Sequence, residues 1–182
     1  MKEAPTQQQN VELLKTCPYF ERLTDVELRL LGGICAEASF APGEIIAHAR
    51  KRRGRAYVVV EGTVGMFYVS RGEEIPIDNH GPGAALSIPA LLPNPPYPSV
   101  KYVALSPVSL LEIPPSFFQD LVRDHPHIGV EVFSVLADGL LRRIIQLERL
   151  SPPTSTPSVR DYFRESASLV RHGMSPPQGP QK

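Results

Sequence analysis

The chain has 182 residues, is 42% hydrophobic, and carries 19 basic against 19 acidic side chains for a net charge of zero. That length builds one domain with a real core plus a modest extension. The charge balance leaves no overall field to recruit nucleic acid or a membrane surface, so electrostatic recognition has to be local.

Cys17 and Cys35 are too few and too far apart for a disulfide framework, which fits a reducing, cytoplasmic setting. Met1 to Asn10 is polar and Gln-rich, without an apolar targeting segment. No stretch approaches the ~18 apolar residues of a membrane span. The 20 prolines are roughly double the usual share and gather in 81–115 and the C-terminal tail.

The leader, residues 1–10, reads as disordered. Val11 to Lys15 predicts a short helical turn that Pro18 breaks, and Tyr19, Phe20 and Leu23 anchor a tight turn. Thr24 predicts a helix start, because Glu27 three residues on completes a capping box. Leu28, Leu31 and Ile34 follow at helical spacing, with Gly32 and Gly33 weakening the end.

From Phe40 the period becomes two. Ile45–Ala47, Ala56–Val60, Thr63–Ser70, Ile75–Asp78, Val100–Leu105 and Val108–Ile113 predict strands between turn signals. Many short, evenly spaced strands argue for a β-sandwich or jelly roll. Between Ile75–Asp78 and Val100–Leu105, Gly81-Pro82-Gly83 leads into an apolar segment, Ala84 to Leu92, expected as a short helix. A Pro-rich break follows, through Pro98. Turn, short helix, loop and strand is an arrangement in which backbone N–H groups cradle a phosphate.

Helical spacing returns with Ser116 as the expected cap of Phe117–Asp124. His125-Pro126 breaks and restarts the chain into a long helix, about Pro126 to Leu150. Val132, Val135, Leu136, Leu140, Ile144 and Leu147 form its apolar stripe, a candidate homodimer seam. Residues 151–182 read as a Pro-rich linker, a short amphipathic segment over 159–171 and a disordered tail.

Helices, an eight-strand-like roll, then two more helices resembles the order of cyclic nucleotide-binding domains, the catabolite activator family among them. Tyr19-Phe20-Glu21-Arg22-Leu23 before the capped helix is similar to the family's opening turn. Phe40-Ala41-Pro42-Gly43-Glu44-Ile45-Ile46 is similar to its first strand, and Tyr57-Val58-Val59-Val60-Glu61-Gly62-Thr63-Val64 to its central strand and turn. Gly81-Pro82-Gly83, Val103-Ala104-Leu105, Leu110–Pro114 and Phe117-Phe118 match in the same order. The resemblance covers residues 11–150. It implies a mainly β fold, a double-stranded β-helix or jelly roll, flanked by N-terminal helices and a long C-terminal helix.

The same resemblance implies a ligand, cAMP or a related cyclic nucleotide, and two ionic anchors for it. Where the family has a Gly-Glu pair that holds the ribose, this chain has Ser87 and Ile88. Where it has an arginine on the cyclic phosphate, the position falls on Pro98, followed by Ser99. A buried phosphate without its cation is costly, and each lost charge-assisted hydrogen bond removes ~1.5–3 kcal/mol. The pocket is therefore expected to be degenerate, with no cofactor. Residues after Leu150 leave no room for the helix-turn-helix of the family's transcription factors, so no DNA partner is expected.

Several residues hold more than one reading. Gly83, Ser87, Ile88, Pro98, Ser99 and Lys101 form the candidate pocket. Ser87 and Ser99 could bind a small anion or serve turn chemistry, and Lys101 could replace the lost arginine or be an ordinary strand lysine. Arg50, Lys51, Arg52, Arg53 and Arg55 form a basic run that suits phosphate, lipid headgroups or an acidic partner, or is a solvated loop. Tyr97 in its Pro-rich loop and Tyr162 and Phe163 in the tail are candidate protein contacts. The five histidines lack strand-borne metal spacing, and no catalytic pattern stands out. The expected function is a non-enzymatic cytoplasmic regulatory or scaffold module of bacterial signalling type, working through a protein partner. The alternative is a sensor of a cyclic nucleotide or other small anion through an altered pocket.

Overall fold

The computed structural model describes residues 7–48, 54–95 and 99–150, the side chains of 147–150 excepted. Their strands form two four-stranded antiparallel sheets. The first has the order β1 (Ala36–Phe40), β8 (Val108–Ile113), β3 (Ala56–Glu61), β6 (Ala85–Leu86). The second has β2 (Ile45–Ala47), β7 (Val100–Ala104), β4 (Val64–Ser70), β5 (Glu73–His80). The expected jelly-roll class is the observed one.

The central strands β3 and β8 of the first sheet are buried on both faces, which is why β3 reads as a continuous apolar run rather than an alternating one. Tyr57 and Val59 of β3 and Leu110 of β8 share a core with Val64, Tyr102 and Ala104 of the second sheet. Their neighbours Ala56, Val58, Leu111 and Ile113 point the other way, into a core built with helices. That second core takes Leu14 from α1 (Gln7–Thr16), Leu28 and Leu31 from α2 (Asp25–Ile34), and Phe118 from α3 (Pro115–Asp124). The period of two thus sorts one strand between two different interiors.

Local chemistry explains most boundaries. Thr24 caps α2: its hydroxyl accepts from the Glu27 N–H at 3.3 Å, and its own N–H donates to the Glu27 carboxylate at 2.8 Å. The β4–β5 hairpin closes on two residues, Arg71 and Gly72, with φ of 52° and 87°. A two-residue turn with both φ positive matches the strand twist. Gly62 (φ 94°) ends β3 where a Cβ would lie 2.3 Å from the Pro107 carbonyl oxygen, so only glycine fits.

Five expectations need correction. α1 begins at Gln7, so the leader is shorter than ten residues. β1 occupies Ala36–Phe40, ahead of the predicted onset at Phe40, because its pairing with β8 outweighs the weak β preference of Ala-Glu-Ala-Ser. β5 runs from Glu73 to His80 rather than Ile75 to Asp78, zipped along the whole of β4. Ala84–Leu92 is a two-residue strand followed by a 3-10 turn at Ile88–Leu91, since Pro89 cannot donate within a longer helix. Ser116 is not the cap of α3. Pro114 holds that place and Pro115 starts the helix, while the Phe118 N–H donates to the Pro114 carbonyl at 3.0 Å.

The long helix α4 spans Pro126–Leu150, as the sequence predicts. The chain divides into compact units at Leu136/Ala137. In the first unit Ile128 and Val132 are fully buried, and Gly129 lies where a Cβ would come within 2.6 Å of Val122 Cγ1. In the second unit Leu140 and Ile144, one turn apart, are exposed. Among the described residues no helix is long and apolar enough to cross a membrane.

Candidate functional site

The frame of the cassette is built on the first sheet. β6 pairs with β3 through Tyr57↔Leu86 and Val58↔Ala85, which fixes the turn that precedes it. Gly83 adopts φ 81°, a conformation that suits glycine, and abuts Thr16 at the end of α1. The backbone donors of this turn are committed internally. The Gly83 N–H donates to the Val59 carbonyl at 2.8 Å and the Ala84 N–H to the Gly81 carbonyl at 3.1 Å. The Ala90 N–H closes back on the Ser87 carbonyl at 2.8 Å.

Ser87 is left-handed, φ 56° and ψ 32°, and its side chain caps nothing. For an L-residue with a Cβ this conformation costs ~1–2 kcal/mol. Ile88, the next residue, is 2% exposed and lies in the helical core together with Leu91, not in the core between the sheets. Pro89 follows it at the start of the 3-10 turn. Ile88 therefore serves as an apolar plug between the first sheet and its helices.

Gly83, Ser87 and Ile88 stand together on the β6 side. Ser99 stands apart in the chain, exposed at the head of β7 in the second sheet, where its carbonyl accepts from the Val69 N–H at 2.8 Å. Lys101 does not face the interior. Its strand neighbours Tyr102 and Ala104 are inward, so the alternation turns Lys101 to the outer face. There it is ion-paired with Glu74 and stands 5.7 Å from the centre of the Phe67 ring. Of the two readings of Lys101, this placement suits the ordinary strand lysine, which the ion pair and the ring contact hold on that outer face.

Arg55 is half exposed and ion-paired with Glu112 of β8. Arg50, Lys51, Arg52, Arg53, Tyr97, Pro98, Tyr162 and Phe163 lie outside the described residues. Both thiols are pushed up by burial, Cys17 to about 11 and Cys35 to about 12, so neither supplies a thiolate near neutral pH. Among the described residues no group of three or more His, Cys, Asp and Glu side chains could hold a metal ion.

One polar group escaped the sequence reading. His80, the last residue of β5, sets its ring 6.2 Å from that of Tyr102, and its buried Nε2 has no hydrogen-bond partner. Nothing in the sequence marks it, because only the pairing of Val64 with His80 and of Met66 with Tyr102 brings the two rings together.

Two packed antiparallel sheets, a glycine-led turn ahead of an edge strand and helices before and after them define a jelly roll with flanking helices. Residues 37–125 match the family model of the cyclic nucleotide-binding domain. The N-terminal domain of a transcriptional regulator from Streptomyces coelicolor superposes with a TM-score of 0.63 at 25% identity, over 72% of this chain and 94% of that one. A cyclic nucleotide-binding-like protein from Brucella abortus does so at 0.55 and 25%, over 63% and 97%. The catabolite activator protein of Thermus thermophilus shares the fold at 0.64 and 24% identity, over 86% of this chain and 72% of its own. A comparison with curated proteins finds no match. No DNA-binding domain is evident among the described residues.

Proposed function

We propose that this chain is a non-enzymatic regulatory module whose cassette no longer holds a cyclic nucleotide, and that it acts by binding a protein partner in the cytoplasm, as part of a bacterial-type signalling system. The observation that carries the reading is the burial of Ile88 in the helical core, at the position where the resemblance places the ribose-binding carboxylate. The internal pairing of the Gly83 and Ala84 N–H groups and the outward turn of Lys101 support it. Without those donors a cyclic phosphate would leave water for a site that returns little of its hydration. Leu140 and Ile144 on α4 offer an apolar face for a second copy of the chain, and light scattering reads that association. Calorimetric titration with cAMP and cGMP tests the main claim. No heat of binding is expected at sub-millimolar ligand, and saturation in that range would overturn it.

One observation favours a second reading, a sensor with an altered pocket. The orphaned His80 Nε2 beside Tyr102 is a hydrogen-bonding group that a small polar ligand would satisfy. A thermal-shift screen of cyclic mono- and dinucleotides separates the readings. A ligand-specific rise in melting temperature that disappears in His80→Phe would establish the sensor.

A further inference from the structure

β5 is the outer strand of the second sheet, exposed from Glu73 to Asn79, and among the described residues no strand lies beyond it. An open edge of this kind presents unpaired N–H and C=O groups to any other strand. Apolar side chains add to the hazard. Tyr68 of β4, its cross-strand partner Ile75, and Ile77 are 41%, 50% and 49% exposed. A long exposed strand carrying isoleucines has the profile of an edge that recruits a second copy of the chain.

We propose that β5 is a guarded edge, on which Pro76, the bulge at Ile77 and the Asp78 carboxylate together bar the β5 strand of a second copy. The inference concerns strand addition alone and depends on neither reading above.

The register shows which way each group points. The two-residue turn at Arg71 and Gly72 makes Ser70 and Glu73 a hydrogen-bonded pair, and bonded and non-bonded pairs alternate from there. Tyr68 with Ile75 is therefore a bonded pair, and Phe67 with Pro76 is not. The Pro76 nitrogen faces away from β4. The proline thus costs the β4 pairing nothing, and its whole effect falls on the free side, which loses a donor. Ile77 has no opposite number on β4, since Pro76 stands across from Phe67 and Asp78 across from Met66. Such a bulge bends the edge and raises its twist, which an added strand has to match. A further donor is already taken: the Asn79 N–H donates to the Asp78 carboxylate at 2.8 Å. Charge completes the guard. Pairing two copies brings the carboxylates of Glu73, Glu74 and Asp78 together, and Lys101 offsets one of them, Glu74.

Light scattering of the full chain from about 10 μM to 1 mM tests the proposal, comparing Pro76→Thr/Asp78→Thr with the parent. Threonine restores the donor at 76, removes the carboxylate at 78 and suits a strand without adding apolar surface. The double variant is expected to approach about twice the parent's mass as concentration rises. Its amides from Glu74 to Asn79 are expected to exchange more slowly in the associated form. Adding Ile77→Lys sets a charge on the same edge and is expected to return the parent's mass. A melting temperature at low concentration checks folding. Should the pair of substitutions unfold the chain, Asp78→Thr alone carries the test, with a smaller gain of the same sign. A folded variant that keeps the parent's mass throughout overturns the proposal. So does a gain in mass that Ile77→Lys leaves in place, because it then arises elsewhere on the molecule. Association through Leu140 and Ile144 raises the mass of parent and variant alike and does not imitate the expected result.

Discussion

Ile88→Glu restores the residue that the family resemblance places in the cassette and gives a sharp test of where that side chain sits. Ile88 is 2% exposed within the helical core. Losing its burial costs about 2 kcal/mol. A glutamate there has to be desolvated or neutralised. Holding a carboxyl neutral at pH 7 against an ordinary value near 4.3 costs roughly 4 kcal/mol, at 1.36 kcal/mol per unit. The sum, about 5–6 kcal/mol, rivals the whole stability of an ordinary domain, about 5–15 kcal/mol.

The sign with pH follows. The folded-state value of such a glutamate is raised, so the native state binds more protons than the unfolded chain between about pH 4.3 and that raised value. Stability then falls as pH rises, by about 1.4 kcal/mol per unit. Urea titrations at pH 5 and pH 7 should differ by roughly 2–3 kcal/mol for Ile88→Glu, and Ile88→Gln should show no such pH dependence of its own. A glutamate variant within about 1 kcal/mol of the parent at both pH values would refute the placement. So would a gain of cAMP affinity, because a side chain buried in the helical core is not free to hold a ribose.

Further outcomes follow from the same geometry. Ser87→Gly relieves the left-handed strain at φ 56° and should raise stability by about 0.5 kcal/mol net of glycine's entropy, read from the urea midpoint. Gly62→Ala sets a Cβ against the Pro107 carbonyl at φ 94° and should lower stability by more than about 2 kcal/mol in the same assay. The Glu27 carboxyl is held below its usual range, chiefly by the Thr24 backbone N–H and, less strongly, by the Thr24 hydroxyl and His127, against a partial offset from burial. Its contribution is present above about pH 4.3 and is lost as pH falls through the lowered value. Glu27→Gln should therefore flatten the acid limb of a stability-pH profile, and Thr24→Ala should cost about 1 kcal/mol at neutral pH.

The residues themselves determined the class of fold, the capping box at Thr24 and Glu27, and the break at His125-Pro126 that starts α4. Each depends on neighbours within a few positions, where propensity and hydrogen-bond reach decide the outcome. That the family resemblance sets Ile88 where a carboxylate is expected was also readable from the sequence. Which interior Ile88 enters was not, because β3 is apolar on both faces and only the layering of sheet and helices separates the two cores. Lys101 illustrates the same limit: its side was decided by the register of β7 against β4, a shift of one residue reversing it. The contact of His80 with Tyr102 belongs wholly to tertiary structure. It joins residues far apart in the chain, and no local pattern records a contact made across such a distance.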